Sequence, residues 1–241
     1  MQKNIASLFL EISKKFTDRP AFGWRKENKE FQMQTFGETF EMSMNLSLAL
    51  VEIGLKPKEH VGLICDNRFE WLVSDIAIIL AGAADVPRGT DVTDHDIIYI
   101  LNHAEVNIVF VENIKVLEKI QKNKQSLPKV KKIILIEGNA DGIEKPILLS
   151  DLLKMGRELR KKGDNRVEER MSQIQQDDLF TLIYTSGTTG SPKGVMLTHG
   201  NLLSQYRNTP VKISTSDRAL SILPVWHIFE RAFEMLTLAN G

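Results

Sequence analysis

Between residues 61 and 136 the chain alternates short apolar runs with longer helical patterns, and this alternation constrains the fold more than any other feature. The runs Val61 to Cys65, Ala83 to Val86 (closed by Pro87), Asn107 to Val111 and Lys132 to Ile136 read as strands. They carry little polar alternation, which is the pattern of strands covered on both faces. Between them, Arg68 to Ala81, Thr93 to Ala104 and Ile114 to Lys124 read as helices. Arg68 to Ala81 is apolar nearly all round and is expected to be buried. Thr93 can cap its helix, with Asp96 in the first turn, where negative charge is favoured. Short strands separated by helices of roughly 10–15 residues imply βαβ units and a parallel sheet. The expected fold class is therefore α/β: a doubly wound, mostly parallel sheet with flanking helices.

The flanking segments fit that frame. Ile5, Leu8, Phe9, Ile12 and Phe16 recur at helical spacing, with Glu11, Lys14 and Lys15 between them. This predicts an amphipathic helix packed on the body and not a signal peptide. Peripheral contact with a membrane surface is compatible with such a helix, but nothing else in the sequence supports it. Ala21 to Trp24 and Phe31 to Phe36 read as two strands. A helix follows from Thr35 through Leu50, with Phe40, Met44 and Leu48 on one row, and Gly54 closes it. Leu148 to Lys162 is another helical pattern. The charge-dense stretch after it, through Arg170, reads as a solvated connection and the best candidate for a subdomain boundary. The expected division is 1–170 for a first α/β subdomain and 171–241 for the opening of a second.

Composition excludes several classes. Lys plus Arg and Asp plus Glu both number 31 in 241 residues, so no electrostatic footprint for nucleic acid is present. The single cysteine, Cys65, rules out an internal disulfide framework or a cysteine-based zinc site. It lies in an apolar run, reads as a small buried hydrophobe, and fits a reducing, cytoplasmic setting. The longest uncharged apolar run, Ile76 to Ala84, is far shorter than the ~20 residues of a membrane span. The expected protein is soluble or at most peripheral. Asp91, Asp94 and Asp96 sit at a helix start, where capping and solvation explain them better than metal binding.

Residues 184–194 read YTSGTTGSPKG. The stretch follows the strand-like run Leu179 to Thr185 and precedes a second apolar run, Gly194 to Thr198, so it is expected to join two strands. Glycines let backbone N–H groups approach an anion closely, hydroxyls add rotatable donors, and a lysine adds a compact positive charge. Successive N–H groups curled into a nest bind anions without a helix dipole behind them. The nucleotide-hydrolase P-loop needs Gly-Lys-Ser/Thr. Here Pro192 precedes Lys193 and Gly194 follows it, so that reading fails. A plain flexible turn does not account for this ordered mixture.

The longer string YTSGTTGSPKGVMLTHGN resembles the phosphate-binding motif of the adenylate-forming superfamily: acyl-CoA synthetases, luciferases and peptide-synthetase adenylation domains. The element LPVWHIFER, residues 223–231, and the stretch DVPRGTDVTDHDIIYILNHAE, residues 85–105, resemble the long-chain acyl-CoA synthetases. Trp226 before His227 is similar to the acyl–acyl-carrier-protein synthetase branch. The resemblance spans essentially the whole chain, but is diffuse before residue 60 and between 112 and 176.

The resemblance implies ATP-dependent activation of a long-chain fatty acid to an acyl-adenylate, then transfer to the thiol of CoA. Acyl-carrier protein as acceptor is one alternative; a non-catalytic nucleotide- or acyl-binding fragment is another. ATP, Mg2+ and CoA are the implied cofactors and co-substrates. Thr185, Ser186, Gly187, Thr188, Thr189, Gly190 and Lys193 would line the phosphates. His227 would stand at the junction of acyl pocket and nucleotide and is the implied catalytic residue. Trp226 would wall the acyl channel or fill core. Glu230 and Arg231 are expected to pair with neighbours and fix the element. The ribose-binding Asp, the acidic Mg2+ motif and the C-terminal catalytic Lys have no counterpart in 1–241, so the sequence reads as an N-terminal piece. Exposed apolar surface is then expected near Leu197, Leu202, Phe229 and Leu236.

Overall fold

The computed structural model describes residues 3–25, 30–139, 145–185 and 191–241. Its first helix, α1 (Ile5–Lys15), starts at Asn4, whose side chain accepts from the Ser7 N–H at 2.7 Å. Ile5, Leu8, Phe9 and Ile12 are buried, as their spacing predicts. Strands β1 (Pro20–Arg25) and β2 (Phe31–Thr35) form a separate antiparallel pair. Helix α2 (Phe36–Glu52) is capped by Thr35 and Glu38, each side chain bonding the other's backbone N–H.

The alternation then appears as expected. In chain order come β3 (His60–Ile64), α3 (Phe69–Leu80), β4 (Ala84–Arg88), α4 (Asp94–His103), β5 (Ile108–Val111), α5 (Ile114–Lys122) and β6 (Lys132–Leu135). After β7 (Ile147–Leu148) follow α6 (Leu149–Lys161), α7 (Arg166–Gln173), β8 (Leu179–Thr185), β9 (Lys193–Thr198), α8 (His199–Asn208) and α9 (Ile228–Asn240). The main sheet has the order β7-β6-β5-β3-β4-β8-β9. Every neighbouring pair is parallel except β8 and β9, which form an antiparallel hairpin.

Strand residues alternate between two apolar layers. Leu63, Phe110, Ile134 and Phe180 face a layer with α1, α2, α3, α6, α7, α8 and α9. Ile64, Val109, Leu135 and Leu182 face a second layer with α4 and α5. This two-sided cover explains the near-continuous apolar runs. Helix α6 lies so close to α2 that a Cβ on Gly156 would fall 1.7 Å from the Asn45 carbonyl oxygen, so only glycine fits there.

Three local readings differ from the structure. Strand β4 continues through Pro87 to Arg88. The Arg88 carbonyl accepts from the Cys65 N–H on the β3 side, so the Pro87 nitrogen points to the β8 side. There β4 pairs with β8 only at Asp85 and Thr181, and no ladder bond is lost. The charge-dense segment after α6 contains a helix, α7, seated through buried Val167 and Met171. Its Arg170 donates to the Leu55 carbonyl at 2.8 Å. Finally, Leu202 is buried and Leu197 and Leu236 are half-buried. Exposed apolar side chains nevertheless lie where expected, at Phe229, beside Leu197 (Val195 and Met196) and beside Leu236 (Phe233), and others, such as Leu220 and Ile222, are exposed elsewhere.

Candidate functional site

The parallel strands β3, β4 and β8 end on one edge of the sheet, and the described ones among the sequence-predicted residues, Thr185, Lys193, Trp226 and His227, lie there. In open α/β sheets this carboxyl edge is where ligands bind. Thr185 closes β8 and Lys193 opens β9, and the two are paired across the mouth of the hairpin. Both are exposed. Ser186, Gly187, Thr188, Thr189 and Gly190 lie outside the described residues.

The segment 221–231 crosses the same edge and is held at three points. Asn67, just past β3, donates to Ser221 Oγ at 2.9 Å and to the Leu223 carbonyl at 2.7 Å. Its own Oδ1 accepts from the Val225 N–H at 2.9 Å. Buried Glu230 reaches back and accepts from the Ile222 N–H at 3.0 Å. Arg231, 1% exposed, anchors the other end on Asp75 and Asp85, both 0% exposed. Asn67 and the two acids are drawn from β3, α3 and β4, so the sheet itself sets the path of this segment.

Trp226 lies over the end of β4. Its indole packs against Gly89 so closely that an added Cβ there would be 2.5 Å from Trp226 Nε1. The Arg88 guanidinium stands 5.2 Å from the Trp226 ring centroid, a cation–π contact. Arg88 also donates through Nη1 to the Tyr184 carbonyl at 3.1 Å, one residue before Thr185. Thus a chain of contacts runs from Trp226 through Arg88 to the base of the hairpin. His227 follows Trp226 as the N-cap of α9. It is exposed, and its Nδ1 accepts from the Phe229 N–H at 3.4 Å.

Behind the hairpin, Tyr184 is buried, with its hydroxyl 2.6 Å from His103 Nδ1. Burial pushes the phenol up to about 12, so it stays protonated and can donate to the imidazole. Tyr99 stacks on His103 and meets Tyr184 edge-on. Cys65 is buried as expected, and burial pushes its thiol up, which makes it inert. Asp94 is held by Lys122 at 3.1 Å, and Thr93 caps α4, accepting from the Asp96 N–H. Among the described residues no three His, Cys, Asp or Glu converge to hold a metal ion. No described helix is long and apolar enough to cross a membrane.

Sequence reasoning singled out neither Asn67, Arg88 and Tyr184 nor the acids Asp75 and Asp85. A signal for the acids was present. They bound, at each end, the apolar run Ile76 to Ala84. A carboxylate between buried hydrophobes demands a cation partner. Arg231, in the element LPVWHIFER, is that partner.

The match with known proteins follows the same geometry. The chain belongs to the AMP-binding enzyme family, whose model matches residues 9–241. It is 31% identical to a chloroplastic long-chain-fatty-acid–acyl-carrier-protein ligase of Arabidopsis thaliana, over 99% of this chain and 34% of that protein. It is 29% identical to human long-chain-fatty-acid–CoA ligase 1, over 92% of this chain and 33% of that protein. The chain therefore spans about a third of the length of these curated relatives. Among solved structures, a long-chain-fatty-acid–CoA ligase from Archaeoglobus fulgidus superposes with a TM-score of 0.80 at 23% identity, covering 99% of this chain and 46% of that one. An anthranilate–CoA ligase bound to anthranoyl-AMP gives 0.81 at 20% identity, covering 99% and 43%. These last two likenesses establish the shared α/β fold.

Proposed function

We propose that the protein activates a long-chain fatty acid with ATP and transfers the acyl group to CoA. One observation carries this reading: a hairpin rich in Gly, Ser and Thr, closed by Thr185 and Lys193, shares the sheet's carboxyl edge with the Trp226–His227 segment through Arg88. A carboxylate oxygen of the fatty acid attacks the α-phosphorus of ATP and pyrophosphate leaves. The thiol then attacks the acyl carbonyl, loses its proton, and AMP departs. Chemistry of this kind rests on positioning and on charge stabilisation.

In this reading Thr185, Ser186, Gly187, Thr188, Thr189, Gly190 and Lys193 cradle the phosphates as charge moves onto pyrophosphate. The Thr hydroxyls and the Lys193 ammonium are suitable donors for such oxygens. His227, exposed at the helix start, donates to the carboxylate being activated, and Trp226 forms the neighbouring wall. Mg2+ would add positive charge on the phosphates. We take 1–170 as the first subdomain and 171–241 as the opening of the second. The protein would act in the cytoplasm, on fatty acid that partitions to and from membranes.

Acyl-carrier protein as acceptor is the second reading. It is favoured by the relative that is 31% identical over 99% of this chain and named for that acceptor. The test is ATP–pyrophosphate exchange by the full-length protein across fatty acids of increasing length, followed by thioester formation with CoA and carrier protein offered in turn. Exchange peaking at long chains, with CoA thioester formed, supports the first reading. Thioester on carrier protein alone replaces it with the second. No fatty-acid-dependent exchange, or a peak at acetate, overturns both.

A further inference from the structure

The buried ion cluster at the start of α9 anchors the 221–231 segment, and the proposed reaction makes no use of it. Arg231 comes from the first turn of α9, Asp75 from α3 and Asp85 from β4, so 156 and 146 residues separate the acids from their cation. Arg231 Nε donates to Asp75 Oδ2 at 3.1 Å, and its Nη2 bonds Asp75 Oδ1, a two-pronged fork. Nη1 contacts Asp85 Oδ1 at 2.9 Å. The guanidinium lies 4.1 Å from the Phe180 ring centroid and 5.5 Å from that of Trp71. It is thus boxed on a strand, a helix and two aromatic faces.

Such a cluster is a poor way to gain stability alone. Taking three ionisable groups out of water costs several kcal/mol per ion before any attraction is counted, and apolar replacements of like volume often match it. What the fork on Asp75 supplies is orientation. Its two bonds fix the guanidinium plane, Asp85 adds an opposite charge at 2.9 Å without a hydrogen bond, and a lysine could not reproduce the fork. Arg231 also lies one helical turn from His227, whose carbonyl accepts from the Arg231 N–H at 3.3 Å. Fixing Arg231 therefore fixes the turn that carries His227.

We propose that Arg231 is a positioning residue: clamped by Asp75 and Asp85, it sets the first turn of α9 so that His227 and Trp226 stand at the carboxyl ends of β4 and β8. This rests on the proposed function for its consequence in turnover, but not for its structural content. Burial raises both carboxyls, while the single cation between them holds them down.

The test uses the full-length protein and two readouts. The first is the His227 ring signal in 1H–13C NMR spectra, assigned by its loss in His227→Gln. Arg231→Lys, which keeps the charge and loses the fork, is expected to move that signal. The second is ATP–pyrophosphate exchange. Arg231→Lys is expected to lower kcat about tenfold or more, with KM for ATP little changed, as misplacement of a reacting group does. In the His227→Gln background the same change should cost less than about twofold, because residues acting as one unit are non-additive. If Arg231→Lys does not fold, Asp75→Asn takes its place with the same outcomes. An unmoved His227 signal in a folded variant overturns the proposal, as do losses that simply multiply. Wild-type protein without exchange activity would instead defeat the functional reading, and the ring signal would still decide on the clamp.

Discussion

The two faces of the main sheet are built differently. The α4–α5 face joins elements adjacent in the chain, and its packing is almost wholly apolar: Val109, Val111 and Leu135 against Ile97, Leu101, Leu117 and Ile120. The opposite face must also receive α8 and α9, and α9 meets α3 and β4, elements more than a hundred residues earlier in the chain. There the interior carries Asp75, Asp85, Arg231 and His199, all buried. Apolar contact drives burial but is indifferent to direction. Apart from the Tyr184–His103 bond behind the hairpin, the buried charged groups are concentrated where a remote segment, α9, meets the sheet, and that segment carries the candidate site.

The largest effect should come from breaking the polar face. Arg231→Met leaves two buried carboxyls without a cation and should cost about 3–5 kcal/mol by urea unfolding. Adding Asp75→Leu and Asp85→Leu to it should restore much of the loss. Recovery would separate a cost of unpaired charge from a cost of lost packing. On the apolar face, Leu117→Ala should cost about 2–5 kcal/mol. Because no site residue rests on that helix, fatty-acid-dependent exchange by the folded fraction should be unchanged; a drop in kcat would contradict the division of labour between faces.

His199 sharpens the comparison through pH. Its ring is buried, packs against Phe180 and accepts through Nδ1 from the Ile5 N–H at 3.3 Å, so it must be neutral. Burial lowers it from 6.5 to about 4. The unfolded chain therefore takes up this proton at higher pH than the folded one. The neutral ring costs nothing above pH 6.5, and stability falls as pH drops from there towards 4. The full effect is about 3 kcal/mol. Asp178, held low by its bonds to the Gln175 N–H and Lys58, falls away with acid in the same sense. His199→Asn keeps an acceptor for Ile5 and should flatten the pH 6.5 to 4 slope, measured by urea midpoints, relative to wild type. An equally steep slope would mean that His199 is charged in the folded protein.

The smallest effect is expected at Gly89. Gly89→Ala should leave the melting temperature within a few degrees but push the indole of Trp226 off the end of β4. The difference in fluorescence against Trp226→Phe should then shift to the red as the ring gains water. An unshifted spectrum would mean that the ring does not rest on this glycine.

Much of the fold was legible because neighbouring βα units carry their own instructions. The runs around Leu63, Val109 and Ile134 are apolar because helices cover both faces, and Thr35 and Thr93 announce helix starts through their caps. The hairpin was legible because apolar runs flank the Gly-rich stretch on both sides, and these runs pair as β8 and β9. Helix α7 was not, because only Val167 and Met171 are buried among its charges, and two residues make too narrow a stripe to outweigh them. The end of β4 was misjudged because Pro87 usually stops a strand; whether its missing N–H matters depends on how far β8 runs alongside, a tertiary fact. The clamp was half legible. Asp75 and Asp85 were visible as charges at the ends of an apolar run, but nothing local indicates that their cation lies on α9.

The account stands or falls on the hairpin as the phosphate site, and one comparison tests it directly: ATP–pyrophosphate exchange by the full-length protein with a long-chain fatty acid, for wild type, Lys193→Ala and the surface control Lys212→Ala. Loss of one charged donor to a transferring phosphate should lower kcat about 100-fold or more in Lys193→Ala, with Lys212→Ala at wild-type rate. Exchange unchanged in Lys193→Ala, with the protein folded, would contradict the account.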